Sequence, residues 1–153
     1  MKQCYASVIQ RVKWARVTVD GKLCGEIPQG VVILLGIAKD DREEDADYLA
    51  AKLVHLRVFS DNEGKMNLSL KDIGGAALII SQFTLYGDCR KGRRPSFTDA
   101  AEPGRAEELY HYFIAQIQKE GIKTASGQFQ AMMEVTLLND GPVTLLLDSK
   151  KIF

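Results

Sequence analysis

Short apolar runs separated by turn residues make up the first part of the chain. Residues 5–12 and 17–19 are rich in β-branched side chains, and Asp20-Gly21 separates them from a second apolar run at 23–27. Asp-Gly between two such runs is a strong hairpin signal, because a type I′ turn requires positive φ at both central positions. The pattern therefore predicts two strands joined by a tight turn.

Two different periodicities follow the hairpin. The continuous apolar run at 31–37, entered through Gly30, is typical of a strand buried on both faces. From Asp41 onward apolar residues recur at helical spacing, and the acids that precede them suit a helix N-terminus. We therefore predict a helix over 41–56. Its repeating positions are Ala46, Leu49, Ala50, Leu53, Val54 and Arg57.

The middle of the chain predicts a turn, a strand and a loop. Residues 61–64 have turn composition, and the apolar run at 76–85 follows Gly74-Gly75 as a strand. Residues 87–103 are expected to form a long exposed loop that carries a cluster of bases.

The last part of the chain predicts one helix and two strands. Apolar positions spaced three and four residues apart lead up to Gly121, which stands where a glycine commonly ends a helix. Those positions are Ala106, Leu109, Tyr110, Phe113 and Ile117. Two closing strands are predicted at 131–138 and 143–148, separated by a turn at 139–142.

Six or more strands with two helices predict an α+β fold, with a curved sheet or open barrel covered by helices. The 153 residues are the usual size of one domain, and no repeat or linker interrupts them. We therefore expect one domain over residues 1–153.

The charge pattern limits the kind of partner. Lys plus Arg and Asp plus Glu both total 20, which argues against a protein that coats nucleic acid through bulk charge. The charges are nevertheless segregated, with acids at 40–47 and bases at 90–94. An anionic partner should therefore meet the basic segments.

Neither a metal site nor a membrane segment is predicted. Cys4, Cys24 and Cys89 have no C-x-x-C spacing, so they are expected to be free thiols in a reducing cytosol. The first twelve residues lack the apolar core of a signal peptide, and no apolar run approaches the roughly 18 residues that span a bilayer. The expected location is the cytoplasm.

The two histidines offer little for catalysis. His55 and His111 both fall within predicted helices, where we expect them to be partly buried, and no third histidine could face them. Nucleotide-binding glycine motifs are also missing. An enzyme with this sequence would therefore depend on backbone groups, hydroxyls and its substrate.

Polar residues interrupt an apolar strand at 81–85. Ser81, Gln82 and Thr84 stand where the predicted strand leaves the sheet, and backbone N–H groups at such an exit can stabilise an oxyanion. The alternative is that these polar residues only mark the end of a strand.

A second candidate segment lies at 139–144. Pro142 cannot donate to a sheet ladder, and Gly141 tolerates unusual backbone angles. A Gly-Pro pair between strands is most often a turn, and a cis peptide is the rarer outcome. Neither segment identifies an activity alone.

Taken together, three separated motifs resemble the D-aminoacyl-tRNA deacylase family. They are S-Q-F-T-L at 81–85, R-P-S-F at 94–97 and N-D-G-P-V-T at 139–144. Supporting segments at 10–12, 64–67 and 105–113 are also similar, so the resemblance covers nearly the whole chain in the correct order.

The resemblance implies a homodimer whose subunits have a curved, mostly antiparallel sheet or open barrel with two main helices packed on one side. Each active site then lies at the dimer interface. One subunit contributes Ser81, Gln82, Phe83 and Thr84, and the other inserts Gly141-Pro142 through a cis peptide bond. No metal or organic cofactor is implied.

The implied reaction is hydrolysis of the ester bond of D-aminoacyl-tRNA, with L-aminoacyl-tRNA rejected and glycyl-tRNA also cleaved. Gln82, Phe83 and Thr84 are the catalytic candidates, with oxyanion stabilisation by N–H groups near Gln82 and Phe83. Thr84 is either a nucleophile or a positioning residue for an attacking water or ribose hydroxyl. Residues expected to contact or orient the substrate are Ser81, Gly141, Pro142, Val143, Thr144 and Arg11, the last as a brace for the incoming Gly-Pro.

The basic loop is the candidate contact for the tRNA acceptor end. Its cations are Arg90, Lys91, Arg93 and Arg94, and Arg105, Lys2 and Lys13 are expected to assist them. A solvated loop is the alternative. Two other functions remain open from sequence: a non-catalytic RNA-binding module, and a small-molecule-binding barrel in which the basic loop is incidental.

Overall fold

A computed structural model of the chain describes residues 6–152, so Lys2, Cys4 and the predicted strand start at Tyr5 lie outside the described residues. The strands are β1 (Ala6–Val19), β2 (Lys22–Ile27), β3 (Gly30–Gly36), β4 (Arg57–Ser60), β5 (Met66–Ser69), β6 (Ala76–Ser81), β7 (Lys123–Ser126) and β8 (Met133–Asp148). The α-helices are α1 (Glu43–His55) and α2 (Pro103–Lys119), and a one-turn 3₁₀ helix covers Phe83–Tyr86.

A strongly curved sheet forms the centre of the molecule. Its strand order is β2-β1-β3-β6-β7, and β8 pairs with β1. Strand β1 is antiparallel to β2, β3 and β8, whereas β3, β6 and β7 are parallel. The curvature brings β2 against β7, where a Cβ on Gly25 would lie 2.7 Å from the Ser126 carbonyl oxygen. The sheet is therefore a nearly closed barrel, which confirms the predicted α+β class.

The predicted hairpin is confirmed at the β1–β2 connection. Asp20 and Gly21 have φ angles of 50° and 75°, the two consecutive positive values that a type I′ turn requires. Strand β1 runs without interruption through residues 13–16, which the apolar pattern left unassigned.

Apolar residues are buried on both faces of the sheet. On one face Ile9, Ile33 and Ile79 pack with the buried sides of α1 and α2. On the concave face Val32 and Leu78 pack inside the curl of the barrel. Burial of one such side chain contributes about 1.5–3 kcal/mol. Strand β3 is thus buried on both faces, as its continuous apolar run predicted.

Both helices lie where the periodicity placed them. Helix α1 begins two residues later than predicted, because the Asp41 side chain accepts a hydrogen bond from the Ala38 N–H before the helix starts. Helix α2 has Pro103 in its first turn and is followed by Gly121, whose φ is 83°. In residues 6–152 neither helix is long and apolar enough to cross a membrane.

Two strand predictions were wrong. The strand predicted over 76–85 ends at Ser81, because the chain turns into the 3₁₀ helix. The turn predicted at 139–142 does not exist, and β8 continues from Met133 to Asp148. Pairing with β1 on both sides of the Gly-Pro holds β8 together as one strand, and a bulge takes up the residues that cannot pair.

Three short strands have no signal in the apolar pattern. Strands β4 and β5 form a separate two-stranded sheet around the predicted turn at 61–64. Strand β7 pairs in parallel with β6, from which α2 and two loops separate it. Each has only four residues, too few for a periodicity to be recognised.

Candidate active site

A cleft with a volume of about 930 Å³ opens beside the end of β6. One side is formed by Ser81–Thr84 and another by Phe97, Ala100 and Ala101. The segment 129–135, which leads into β8, completes the lining. The S-Q-F-T motif therefore lies in a cavity of the size that small-molecule sites usually have.

The start of the 3₁₀ helix determines which N–H groups are available. The Gln82 N–H donates to the Leu35 carbonyl oxygen at 2.8 Å, so among the N–H groups near Gln82 and Phe83 this one is not available to an oxyanion. The N–H groups of Phe83 and Thr84 open the turn, and within residues 6–152 they have no hydrogen-bond acceptor. Unpaired N–H groups at the start of a helical turn can donate hydrogen bonds to a negatively charged oxygen.

The Thr84 hydroxyl is hydrogen-bonded to an amide, and the acidic residues that line the cleft, Asp20 and Glu134, make no hydrogen bond to it. Its Oγ accepts a short hydrogen bond from the Gln82 Nε2, and its side chain is exposed. Among the described residues that line the cleft there is no histidine, lysine or cysteine to remove the hydroxyl proton. This arrangement favours the positioning role of Thr84 over the nucleophilic one.

Phe97 connects the cleft to the basic loop. Its ring packs edge-to-face on Phe83 with 5.1 Å between centroids, and Phe83 is 57% exposed. Directly before it, Ser96 pairs with Asp88 through two backbone hydrogen bonds, which closes the base of the loop. The loop is therefore anchored at the rim of the cleft.

The four cations of the loop are not equivalent. Arg90 binds the Asp88 carboxylate through Nε and Nη2 at 2.9 and 2.7 Å, and these bonds lower the pKa of Asp88 to about 2. Lys91, Arg93 and Arg94 are exposed at the loop tip. Arg105 pairs instead with Glu108 on α2 at 3.1 Å. The tip cations are thus the ones placed to meet an anion.

The N-D-G-P-V-T motif at 139–144 forms a large bulge in β8. Thr144 pairs with Gln10 and Asn139 pairs with Val12, so the residues between 139 and 144 face only Arg11. The Asn139 side-chain amide closes the base of the bulge by donating to the carbonyl oxygens of Arg11 and Val143 at 2.9 and 3.2 Å.

The tip of the bulge is Gly141-Pro142. Both residues are exposed, and the peptide bond between them is cis. Val143 is buried in the core that faces the helices, whereas Thr144 is exposed and accepts a hydrogen bond from Gln10 at 3.1 Å. Of the four candidates in this motif, only Val143 is therefore buried, and Gly141 and Pro142 form the exposed tip.

Arg11 braces the bulge of its own chain. It is only 9% exposed, and its Nε donates to the Asp140 carbonyl oxygen at 2.9 Å while Nη1 donates to the Val58 carbonyl oxygen at 2.7 Å. The planar guanidinium thus joins β4 to the bulge. Sequence reasoning expected Arg11 to brace the incoming Gly-Pro of a second subunit, whereas its hydrogen bonds in this chain go to its own bulge and to Val58. A backbone carbonyl such as that of Val58 leaves no sequence signal.

The two motifs are far apart within one chain. Ser81 and the bulge are separated by three strand steps, through β3 and β1, and by about four residues along the strands. Standard strand spacings make that path about 14 Å across and 13 Å along the curved sheet, and neither Gly141 nor Pro142 lines the cleft. One chain alone therefore does not bring Gly141-Pro142 to the cleft.

Both histidines lie away from these motifs. They occupy α1 and α2 as predicted, but His111 is exposed and the His55 side chain is 56% exposed, so the expected partial burial was wrong. His55 Nε2 lies 3.6 Å from a Glu120 carboxylate oxygen. Within the part of the chain that the structure describes, no cluster of three metal-ligating side chains occurs.

Comparison with known proteins finds a family model and relatives that match almost the full chain. A family model described as D-Tyr-tRNA(Tyr) deacylase matches residues 8–148. A D-aminoacyl-tRNA deacylase of Fervidobacterium nodosum is 60% identical over 147 residues, which cover 96% of this chain and 99% of the relative. One from Bacillus mycoides is 57% identical over 143 residues, covering 94% of this chain and 98% of the relative.

Two solved structures share the architecture. One, named c-Myc DNA Unwinding Element Binding Protein, has a TM-score of 0.87 at 38% identity and covers 93% of this chain and 97% of its own. Another, described as a probable eukaryotic D-amino acid tRNA deacylase, has a TM-score of 0.83 at 18% identity. It covers 95% of this chain and 100% of its own, and at that identity it supports the fold alone.

Replacement of Arg11 by methionine should lower the free energy of unfolding by about 2–4 kcal/mol, because two carbonyl oxygens lose a charged donor. Urea denaturation measures this loss. Gln10→Ala is the matched control, since its exposed hydrogen bond to Thr144 should contribute less than about 1 kcal/mol. Equal losses in the two variants would show that Arg11 does not brace the bulge.

Proposed function

This chain belongs to the D-Tyr-tRNA(Tyr) deacylase family, whose members are hydrolases acting on aminoacyl-tRNA, and we propose that it cleaves the ester of D-aminoacyl-tRNA. The products are the free D-amino acid and tRNA. The observation that carries the proposal is the S-Q-F-T segment at the cleft, with unpaired N–H groups beside it. We place the reaction in the cytoplasm, where aminoacyl-tRNA is used.

The chemistry needs only moderate assistance, because an aminoacyl ester is already activated. Water attacks the carbonyl carbon, with the neighbouring ribose hydroxyl as the group placed to take its proton, and the oxyanion that forms is held by the N–H groups of Phe83 and Thr84. In a known protease one such donor contributes about 2.7–4 kcal/mol. Collapse of this intermediate breaks the bond to the ribose oxygen and releases tRNA.

Discrimination between mirror forms is proposed to be steric. Gly141-Pro142 of a second copy enters the cleft and lies against the α-carbon of the substrate. An L-residue would direct its Cβ into this backbone, whereas a D-residue directs it away. A clash of this kind rejects an isomer more strongly than a pocket can prefer one. Glycine has no Cβ and should be accepted.

We propose a homodimer as the assembly that completes the site. Two observations support it besides the absence of Gly141 and Pro142 from the lining of the cleft in one chain. Leu146 of β8 is 56% exposed, with half-buried Val8 opposite it on β1, and Leu145, on the other face of the strand, is 36% exposed. Within residues 6–152 no strand pairs with the other edge of β8. Exposed apolar strands with a free edge favour association.

The tip of the basic loop is proposed to contact the tRNA acceptor end. Arg94 lies three residues before Phe97, within about 10 Å of the cleft rim along the chain. A nucleic-acid-binding module without catalysis is the second candidate, and the DNA-binding name of one relative points in that direction. It differs from the proposal in requiring affinity without turnover.

Matched D- and L-tyrosyl-tRNA and glycyl-tRNA provide the primary test, with release of the free amino acid as the measurement. The D-form and the glycyl form should be hydrolysed, and the L-form should remain intact because its Cβ clashes with Gly141-Pro142. Binding of all three without release would favour the non-catalytic module. Equal hydrolysis of both mirror forms would contradict the steric proposal.

Thr84→Ala separates the two roles of this residue. A positioning role predicts a loss of only a few-fold in kcat, because water remains the nucleophile. Single-turnover deacylation of D-tyrosyl-tRNA measures the effect. Near-complete loss of turnover would assign Thr84 as the nucleophile instead.

Leu146→Asp should produce monomers without deacylase activity, because it places a charge on the apolar surface of β8. Sedimentation analysis and D-tyrosyl-tRNA hydrolysis measure the two effects. Leu23→Asp is the matched control, since Leu23 is also 56% exposed but lies on β2 at the opposite end of β1. A monomer that retains full activity would refute a site shared between subunits.

Replacement of both Arg93 and Arg94 by glutamine should raise KM for tRNA and reduce the slope of log KM against log salt by about 1–2. The control is Lys65→Gln with Lys71→Gln, which removes the same charge elsewhere. Identical salt slopes for the two double variants would remove the loop from the tRNA contact.

A further inference from the structure

One wall of the cleft is held in place by backbone pairing to a neighbouring segment. Ala100 forms an isolated antiparallel bridge with Ala38. The Ala101 N–H donates to the Ile37 carbonyl oxygen at 2.9 Å, and the Lys39 N–H donates to the Asp99 carbonyl oxygen at 3.2 Å. Ile37, Ala100 and Ala101 all line the cleft. The position of this wall therefore depends on the segment 37–39.

Asp41 is hydrogen-bonded to that segment through Ala38. Its Oδ2 accepts a hydrogen bond from the Ala38 N–H at 2.7 Å, and its own N–H donates to the Ala38 carbonyl oxygen at 3.1 Å. The residue is only 3% exposed. Its second oxygen, Oδ1, is buried without a hydrogen-bond partner among residues 6–152. A buried carboxyl group with one unpaired oxygen lowers the stability of the fold, so its presence at this position calls for an explanation.

Burial favours the neutral form of Asp41, and the groups around it act in both directions. Burial raises the pKa of Asp41 to about 7. The hydrogen bond from Ala38 lowers it, the charge of Asp45 on α1 raises it, Lys150 of the C-terminal segment lowers it, and Asp40 raises it. The Lys150 ammonium donates to Asp45 at 2.7 Å.

We propose that Asp41 is a positioning residue for deacylation, holding segment 37–39 through Ala38 and thereby fixing the Asp99–Ala101 wall of the cleft. The kinetic part of this inference rests on the proposed function. The structural part does not, because it concerns hydrogen bonds that exist without substrate.

The raised pKa of Asp41 determines how its contribution to stability depends on pH. Its pKa is higher in the folded chain than in the unfolded one, so its contribution to stability is complete below about pH 4 and declines as the pH rises to about 7. Above that pH a buried carboxylate would stand beside Asp40 and Asp45. Ionisation is therefore expected to loosen segment 37–39 and the wall that pairs with it.

Amide hydrogen exchange and deacylation kinetics of the full-length protein test the proposal. In Asp41→Ala the protection of the Lys39 and Ala101 N–H groups should fall at least about tenfold. Its kcat/KM for D-tyrosyl-tRNA should fall by a similar factor, since a misplacement of about 1 Å can cost as much as 100-fold in rate. Asp41→Asn keeps an oxygen acceptor for Ala38 and should recover most of both losses.

Asp45→Ala is the matched control. Asp45 is also buried, but its carboxylate binds Lys150 and the Arg42 N–H and has no bond to segment 37–39. Because removal of the Asp45 charge lowers the pKa of Asp41, the comparison is made well below pH 7, where Asp41 is neutral. There this variant should lose thermal stability while keeping the protection of Lys39 and Ala101 and the wild-type kcat/KM.

The pH profile gives a readout that a purely structural role would not change. Wild-type kcat/KM, corrected for spontaneous ester hydrolysis, should decline above about pH 7, and Asp41→Asn should lack that decline. Unchanged protection at Lys39 and Ala101 in Asp41→Ala would overturn the proposal whatever the activity. Reduced protection with wild-type kcat/KM would overturn it as well. A wild-type protein without deacylation would contradict the proposed function, and the exchange data would still decide the role of Asp41 in the wall.

Discussion

Arg11 donates to two backbone carbonyl oxygens, that of Val58 on β4 and that of Asp140 in β8. The rest of the site depends on this bridge, because it fixes a bulge in which the residues between Asn139 and Thr144 face a single residue of β1. A bulge without such support would leave buried carbonyls unpaired next to the core. With it, Gly141 and Pro142 project outward from an otherwise regular strand.

The groups that the proposed reaction uses lie in two places, the cleft and the bulge. The cleft holds backbone donors, an amide and a hydroxyl, and the bulge presents rigid backbone with little side chain. The proposed function joins the two in one site. The exposed leucines of β8, and the strand edge that no other strand in residues 6–152 pairs with, support the proposed approach of a second copy.

Features that depend on neighbours in sequence were predictable. Asp20-Gly21 specifies its turn because few residues tolerate two consecutive positive φ angles. The buried stripes of α1 and α2 follow from the 3.6-residue period, and Gly121 follows from the need for a left-handed residue after α2. The motifs around Ser81 and Gly141 were also recognisable, because their residue types are unusual within apolar strands.

The sequence by itself was sufficient to predict the hairpin, both helices, the fold class and the family, since each depends on residue types at short spacing along the chain. Only the tertiary structure decided that β8 is continuous, because pairing with β1 on either side of Pro142 outweighs the preference of Gly-Pro for a turn. It also decided that the Gln82 N–H is occupied, that Val143 is core and that Asp41 supports the wall of the cleft. These outcomes depend on contacts between residues distant in sequence, which no short pattern of residues encodes.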